Sequence, residues 1–228
     1  MNKIFVPIVF CLLSAATTAQ LRCYNIGGRR SLSDAEYTKH LERYYRDGYG
    51  VDIINLKVES RGDTIIYHNR LFGLPKGKNG EIFNPFSGIK KLVSKPFPLS
   101  NFKEVNNAVL EDKLILGKPT LVHFWFTRCP PCINEIPILN RLKEKYAGQV
   151  NFLAISYESR EAVTLFQKTH PLNFWHITDS RASISELGIS AYPTNLVVDK
   201  LGIVKFAFGS IFSESDMELV LDDLLQNP

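Results

Sequence analysis

The sequence has little of what several protein classes require. Only 4 of its 228 residues are cysteine, and Lys plus Arg exceed Asp plus Glu by 27 to 23. Basic residues adjoin only in the pairs Arg29–Arg30 and Lys90–Lys91, so we expect no nucleic-acid partner. A composition of 45% hydrophobic and 22% charged residues is ordinary for a globular chain and excludes a disordered tail, a collagen-like repeat and a polytopic membrane protein.

The first nineteen residues read as a targeting segment. Lys3 precedes an uncharged, mostly apolar run from Ile4 to Ala16, and small residues continue to Ala19. A helix of that length spans about 20 Å, well short of the ~30 Å hydrocarbon core of a bilayer. We therefore predict a signal peptide at 1–19, cleaved after Ala19, and a periplasmic location. An uncleaved membrane anchor is the alternative.

Cleavage would remove Cys11 and leave three cysteines, Cys23, Cys129 and Cys132. An odd number excludes a fully paired disulfide scaffold, and a chain of this length can bury a core without such staples. A redox pair outside the cytoplasm, where disulfides persist, is the interpretation that remains. Cys23 is expected to be an idle thiol in a mobile terminus, with an intermolecular bridge as the alternative.

Residues 20–95 predict an α+β extension. Ser33 and Glu36 form a capping box at the start of a helix that ends near Gly48. The runs Val51–Val58 and Thr64–Tyr67 flank a turn and predict a β-hairpin. The tyrosines of this region are expected to form the core of a small layer: Tyr24, Tyr37, Tyr44, Tyr45 and Tyr49.

Residues 96–228 alternate strand and helix patterns. Thr120–Phe126 and Val150–Tyr157 are predicted strands on either side of a predicted helix, Pro130–Tyr146. The segments Asn195–Val198 and Ile203–Phe208 then predict an antiparallel hairpin. Together these elements predict an α/β fold with a mixed sheet flanked by helices.

The pair Cys129 and Cys132 stands where a strand passes into a helix, with Pro130 and Pro131 between the two sulfurs. A helix N-terminus offers unpaired N–H groups and the positive end of the helix dipole, and both stabilise a thiolate. The thiolate is the nucleophile of disulfide exchange. We therefore expect Cys129, at the N-cap with an exposed sulfur, to attack, and the more buried Cys132 to resolve the mixed disulfide.

Two other uses of a cysteine pair are a zinc site and a structural disulfide. A zinc site would need a second cysteine pair or a nearby histidine cluster to complete four ligands, and the sequence offers neither. A purely structural disulfide that closes so short a loop would stabilise the fold little.

The segment Val122–Cys132 (VHFWFTRCPPC) resembles the active-site segment of thioredoxin-like proteins. Pro137 resembles the proline that kinks the active-site helix of that superfamily, and Gly188–Thr194 (GISAYPT) resembles its cis-proline loop. The separation between Cys132 and Pro193 leaves space for an additional helix and strand at 159–177. Such an insert is typical of extracytoplasmic TlpA-like thiol–disulfide oxidoreductases. The resemblance covers about 96–222, while 20–95 resembles no family.

The resemblance implies roles for individual residues. Pro193, after a cis peptide bond, would shape the substrate groove beside Cys129 and Cys132. Tyr192 would pair with a substrate strand through its backbone, and Trp125 and Pro130 would also contact substrate.

Three further residues lie near the predicted pair. The resemblance to TlpA-like proteins implies that Glu135 is an acid that tunes the cysteines and moves protons, unless it is an ordinary exposed helix residue. His123 stands where thioredoxins carry a buried acid, so it is either part of a proton relay or a hydrogen-bonded core histidine. Arg128 replaces the usual tryptophan and would favour the thiolate, unless it is only a solvated surface charge.

The resemblance also implies partners and domain organisation. We expect a thioredoxin-like domain at 96–228 with an extension of unknown role at 20–95. Protein thiols and disulfides would be the clients, a membrane electron-transfer protein would supply electrons, and no metal or organic cofactor would be needed. The chain is expected to be a monomer.

Pro130 and Pro131 lack N–H donors that could face the Cys129 sulfur. A less stabilised thiolate makes a more reducing couple, so we expect a reductant of protein disulfides or a protein of intermediate potential, and not a strong oxidant. Arg128 would stabilise the Cys129 thiolate and so would make the couple less reducing. A non-catalytic binding module with a closed disulfide and a thiol peroxidase are the alternatives. The peroxidase is disfavoured because peroxidatic cysteines usually follow a Pro-x-x-x-Thr-x-x stretch, whereas Thr127 lies only two residues before Cys129 and no such proline precedes it.

Overall fold

The computed structural model describes residues 20–27, 31–102, 115–211 and 213–227. The predicted signal peptide, 1–19, lies outside the described residues. Within the described ranges, no helix is both long enough and apolar enough to cross a membrane.

A four-stranded sheet and one long helix make up the N-terminal region. Its elements are β1 (Leu21–Ile26), β2 (Leu32–Ser33), α1 (Asp34–Arg46), β3 (Tyr49–Arg61) and β4 (Thr64–Pro75). The strand order is β2-β1-β4-β3, and only the β1–β4 pair is parallel. The predicted capping box of Ser33 and Glu36 is confirmed. The predicted hairpin is also confirmed, and it is longer than expected because pairing continues to Tyr49 and Pro75.

Strand β1 corrects the prediction of a mobile terminus. Cys23 lies inside this strand, paired with Ile66 of β4 and Ser33 of β2, and its thiol is free and half-buried. The neighbouring Tyr24 ring stacks on Tyr37 and Tyr67 at centroid distances of 4.0 and 5.3 Å. Because these contacts and two strand pairings hold β1, Cys23 is part of the sheet.

The expectation of a tyrosine core holds only in part. Tyr37 is buried, and its hydroxyl accepts a hydrogen bond from Asn69. Tyr45 of α1 and Tyr49 of β3 are exposed large side chains, so they do not belong to a core.

A five-stranded sheet forms the C-terminal region. The elements are α2 (Ser87–Lys90), a 3₁₀ turn (Leu99–Asn101), β5 (Thr120–Trp125), α3 (Pro130–Lys145), β6 (Asn151–Ser156), α4 (Arg160–Gln167), β7 (Trp175–Ile177), α5 (Arg181–Glu186), β8 (Thr194–Val198), β9 (Val204–Phe208) and α6 (Glu214–Gln226). The order is β7-β6-β5-β8-β9. Strands β5, β6 and β7 are parallel, while β8 and β9 run antiparallel. The predicted mixed sheet flanked by helices is confirmed.

Strand β5 separates two apolar cores. Leu121 and Trp125 face a core built by α3, α4 and α6, whereas Val122 and Phe124 face one built by α2, α5 and the 3₁₀ turn. This division follows from the period-2 alternation of side chains along a strand. His123 shares the face of Leu121 and Trp125, so its imidazole lies on the side of the sheet that carries α3.

The two sheets are joined by an apolar contact and an ion pair. Strand β3 contains a β-bulge between Asn55 and Lys57, and the extra residue, Leu56, is buried in the core formed by α3 and α6. Arg70 of β4 forms a bidentate ion pair with Asp216 of α6. The N-terminal region is therefore packed on the C-terminal one.

The chain passes onto the second sheet before residue 96. Ile89 of α2 is buried in the core that contains Phe124. The Ser94 amide donates to the carbonyl of Val204, at a distance of 2.8 Å. Residues just before the predicted domain start at 96 thus help to cover the five-stranded sheet.

Candidate redox site

Cys129 and Cys132 form a disulfide at the start of α3, with their Cα atoms 5.2 Å apart. Cys129 is the N-cap residue, and its sulfur accepts a hydrogen bond from the Cys132 amide at 3.3 Å. Pro130 and Pro131 occupy the two positions between and have no N–H to offer. In the described part of the chain, no three His, Cys, Asp or Glu side chains are grouped so that they could hold a metal ion.

The expected exposure of the Cys129 sulfur is wrong for this disulfide form. Cys129 is only 2% exposed and Cys132 is fully buried, both within the apolar core that includes Trp125. The residues around them, Arg128 and Pro130, are exposed. In this disulfide form, little of the Cys129 surface is open to a client sulfur.

Glu135 lies one helical turn after Cys132 and is only 5% exposed. Its carboxylate accepts hydrogen bonds from the Ile211 amide at 2.8 Å and from the Asn195 side chain at 3.4 Å. Burial raises the pKa of Glu135 from 4.5 to about 7, although these hydrogen bonds favour the charged form. The alternative of an exposed helix glutamate is wrong, and the group can gain or lose a proton near neutral pH.

His123, on strand β5, is fully buried. Burial lowers the pKa of His123 from 6.5 to about 4, so the imidazole is neutral at neutral pH. Its Nδ1 lies 2.9 Å from Oδ1 of Asn195 and 3.7 Å from Oε2 of Glu135. Because the ring is uncharged, the approach to Glu135 is not an ion pair.

Asn195 connects these groups, and the sequence reasoning missed it. Its Nδ2 donates to Glu135 and to the carbonyl of Gly209 at 2.6 Å, so its Oδ1 must accept from Nδ1–H of His123. His123, Asn195 and Glu135 therefore form one buried hydrogen-bonded chain. The available signal was an amide in the apolar strand that follows Pro193.

The cis-proline loop lies at the ends of strands β5 and β6. The Tyr192–Pro193 peptide bond is cis, as the resemblance implies, and Pro193 is buried. The half-buried Tyr192 ring contacts the rings of Phe126 and Tyr157 at centroid distances of 5.4 and 5.7 Å. Pro130, the other predicted substrate contact, is exposed at the first position of α3.

The predicted substrate contact of Trp125 is wrong for this conformation. Trp125 is 0% exposed, and its ring packs on Phe166 and His176 at centroid distances of 5.4 and 5.8 Å. Trp125 and His123 share the face of β5 that packs against α3, so the Trp125 side chain is part of the core behind the disulfide. A surface contact with a client is closed to it.

Comparison with known proteins places this site in a family. The AhpC/TSA family matches residues 93–207. The chain is 29% identical over 110 residues to the thioredoxin-like protein YneN of Bacillus subtilis, covering 46% of this chain and 65% of YneN. It is 32% identical over 119 residues to the thiol:disulfide interchange protein DsbE of Pseudomonas aeruginosa, covering 50% of this chain and 64% of DsbE.

Two further matches extend this result. The thiol-disulfide oxidoreductase ResA of Bacillus subtilis is 29% identical over 136 residues, which cover 57% of this chain and 76% of ResA. A thiol-disulfide isomerase structure from Corynebacterium glutamicum superposes with a TM-score of 0.52 at 18% identity, covering 59% of this chain and 98% of that one. This structural match supports the thioredoxin-like fold. The chain spans just under two thirds of YneN and of DsbE.

Proposed function

This chain belongs to the AhpC/TSA family, and from that premise we propose that it is a thiol–disulfide oxidoreductase acting through Cys129 and Cys132. One observation carries the proposal: the two sulfurs are joined at the N-terminus of α3, one turn before a buried acid with a pKa of about 7. The names of the relatives YneN, DsbE and ResA support the same chemistry.

The reaction moves two electrons from the reduced pair to a client disulfide. The Cys129 thiolate attacks one client sulfur, which forms a mixed disulfide and releases the other client sulfur as a thiolate. The Cys132 thiolate then attacks the Cys129 sulfur, which releases the second client thiolate and closes the Cys129–Cys132 bond. Each released thiolate takes up a proton, so two protons complete the reduction of the client.

Glu135 would take the proton that Cys132 loses before its attack. Its carboxyl lies one turn beyond Cys132, and its pKa of about 7 lets it accept and return a proton near neutral pH. Asn195 orients the carboxylate, while neutral His123 fixes Asn195 from the other side. In this proposal His123 is a positioning residue.

The proposed direction in the cell is reduction. The hydrogen bond to the Cys129 sulfur comes from Cys132, since Pro130 and Pro131 have no N–H. Equilibration with a glutathione redox series should give a potential nearer the roughly −270 mV of thioredoxin than the roughly −120 mV of a strong disulfide-forming oxidant. A value near the latter would contradict this direction.

The proposed setting is the periplasm, with proteins as clients and a membrane electron-transfer protein as electron donor. The predicted signal peptide at 1–19 supports export. The word "interchange" in the name of the relative DsbE fits exchange with other thiols and disulfides.

Trapping tests the assignment of roles. A Cys132→Ser protein should accumulate mixed disulfides through Cys129, because no resolving sulfur remains. Non-reducing electrophoresis followed by mass spectrometry would identify the linked cysteine. The double variant Cys129→Ser/Cys132→Ser is the control and should trap nothing. Absence of any Cys129-linked adduct would refute the roles.

The enclosed disulfide favours one second candidate, a binding module whose disulfide stays closed. Cys129 and Cys132 have almost no exposed surface in this form. Insulin reduction in the presence of dithiothreitol separates the two functions. An oxidoreductase accelerates insulin precipitation above the dithiothreitol background, whereas a closed binding module leaves the background unchanged.

A further inference from the structure

Three aromatic rings form a continuous surface beside the disulfide, which we name the aromatic rim: Phe126, Tyr157 and Tyr192. The rings of Phe126 and Tyr157 are 5.5 Å apart, and both contact Tyr192. All three side chains are half-buried. Phe126 and Tyr157 follow the carboxyl ends of β5 and β6, and Tyr192 precedes Pro193, so the rim lies at the sheet edge that carries Cys129.

Two exposed arginines accompany the aromatic rim, Arg181 through a ring contact and Arg128 through its place in the chain. The guanidinium carbon of Arg181, at the start of α5, lies 4.4 Å from the ring centre of Tyr157. Arg128 stands two residues after Phe126 and directly before Cys129 in the chain. Within the described ranges, neither guanidinium is paired with a carboxylate. Both therefore keep donors free for an anionic group from outside.

The nearby carboxylates are engaged locally. Glu158 accepts hydrogen bonds from the amide and hydroxyl of Thr127 at 2.6 and 2.9 Å. Asp179 accepts one from the Thr178 hydroxyl at 2.9 Å. These acids are bound by threonines and leave the arginines unpaired.

The charge of Arg181 also acts on Tyr192. Burial raises the pKa of the Tyr192 hydroxyl, Tyr157 raises it further, and Arg181 opposes the increase. The positive charge is therefore close enough to influence the residue that precedes Pro193. A client segment lying along the cis-proline loop would pass through the same field.

Building on the proposed function, we propose that the aromatic rim with Arg128 and Arg181 selects client segments that carry an acidic side chain next to the reacting cysteine. A guanidinium binds a carboxylate through two parallel hydrogen bonds. An apolar client residue would pack on the rings. Rim charges of this kind act mainly on the rate of encounter, so the preference should depend strongly on salt.

The test uses three disulfide peptides that differ only in the residues flanking the cysteine, which are Glu, Gln or Lys. The full-length protein, reduced beforehand, is mixed with each peptide, and the second-order rate of reduction is measured. The Glu peptide should react roughly tenfold faster than the Lys peptide at an ionic strength of about 0.02 M. The ratio should fall below about two at roughly 0.5 M salt, where screening is nearly complete.

Substitutions assign the preference to the two arginines. Arg128→Gln and Arg181→Gln should each lower the Glu-to-Lys rate ratio about threefold. Since the ratio is taken within each variant, changes in thiolate reactivity cancel. The matched control is Arg61→Gln, which removes the same charge from the N-terminal hairpin and should leave the ratio within about 1.5-fold of wild type.

The outcomes separate this inference from the proposed function. Equal rates for the Glu and Lys peptides, with the Gln peptide reduced normally, would overturn the inference and leave the oxidoreductase intact. So would a ratio unchanged in both arginine variants, or lowered as much by Arg61→Gln. Failure to reduce any of the three peptides would instead count against the proposed function.

Discussion

The two sheets of this molecule differ in how completely they are covered. Strand β5 of the five-stranded sheet is buried at every residue, whereas β3 of the four-stranded sheet mixes buried, half-buried and exposed positions. Helices cover the five-stranded sheet on both faces. An ionisable side chain on such a sheet loses its hydration, which is why the pKa of His123 falls to about 4 there.

Two buried acids, Asp52 in the N-terminal region and Glu135 in the C-terminal region, differ in how their charge is compensated. Asp52 of β3 is buried but bound to Lys90 and to Asn84, so its charge is compensated. Glu135, by contrast, has no Lys or Arg partner among the described residues. The difference teaches that a paired buried acid serves the structure, while one free to change its protonation suits proton transfer.

The largest expected effect concerns the cysteines of the two regions. Cys129→Ser should reduce the rate of insulin reduction to the background, because the attacking thiolate is lost. Cys23→Ser, in the N-terminal sheet, should leave the rate within about twofold of wild type, because Cys23 lies outside the reacting pair. Comparable losses in both variants would show that the N-terminal thiol takes part in the exchange.

Core truncation should also separate the sheets. Leu121 is fully buried in the five-stranded sheet, while Val58 of β3 is half exposed. We expect Leu121→Ala to lower the free energy of unfolding by about 4 kcal/mol and Val58→Ala by less than about 1 kcal/mol. Denaturant unfolding of the oxidised proteins measures both. Similar losses would mean that the two sheets are equally well packed.

The pH dependence of stability should reveal two opposing contributions from the same core. Because the pKa of Glu135 is raised, its contribution to the free energy of unfolding is greatest below pH 4.5 and is lost as the pH rises through about 7. Because the pKa of His123 is lowered, its contribution to the free energy of unfolding is greatest above pH 6.5 and is lost as the pH falls through about 4. Each shift corresponds to about 3 kcal/mol, so the two nearly cancel between pH 4.5 and 6.5.

Single variants should expose each contribution. Relative to wild type, Glu135→Gln should gain about 3 kcal/mol of unfolding free energy between pH 4 and 7, since the cost of ionising Glu135 is gone. His123→Asn should gain a similar amount as the pH falls from 6.5 to 4. Denaturant unfolding at fixed pH values measures the differences. Parallel profiles for all three proteins would contradict the assigned pKa shifts.

The smallest expected effect concerns the Arg70–Asp216 ion pair, which joins the two sheets. Arg70→Gln should lower the free energy of unfolding by about 2 kcal/mol, because it removes two charge-assisted hydrogen bonds to the mostly buried Asp216. The matched control Arg61→Gln removes an exposed pair with Glu59 and should cost less than about 1 kcal/mol. Equal costs, measured by denaturant unfolding, would show that the joint contributes no more than a surface contact.

Local signals predicted the fold well where they were strong. The predicted capping residue Ser33 begins a helix, and the apolar run at Thr120 is the central strand. Strand β1 was missed because Leu21–Ile26 is short and is held by pairing with β4, more than thirty residues away. Pairing over that distance leaves little trace in local periodicity.

The site was predicted to the same extent. The place of Cys129 and Cys132 at the start of a helix was predicted from their spacing and the helical pattern that follows, whereas the resemblance pointed to Glu135 and to the cis bond before Pro193. Asn195 was missed because its role depends on strand β8 lying beside β5. The enclosure of Cys129 was missed for the same reason, since exposure depends on side chains brought in from distant elements.

The bulge in β3 makes the number of residues in that strand matter more than their identity. Leu56 is the extra residue, and its side chain enters the neighbouring core while Asn55 and Lys57 keep their partners in β4. Removing one residue here would let β3 and β4 pair without interruption. It would also withdraw the Leu56 side chain from the core formed by α3 and α6. Homologous chains that share this joint should therefore tolerate substitutions along the strand more readily than a change in its length.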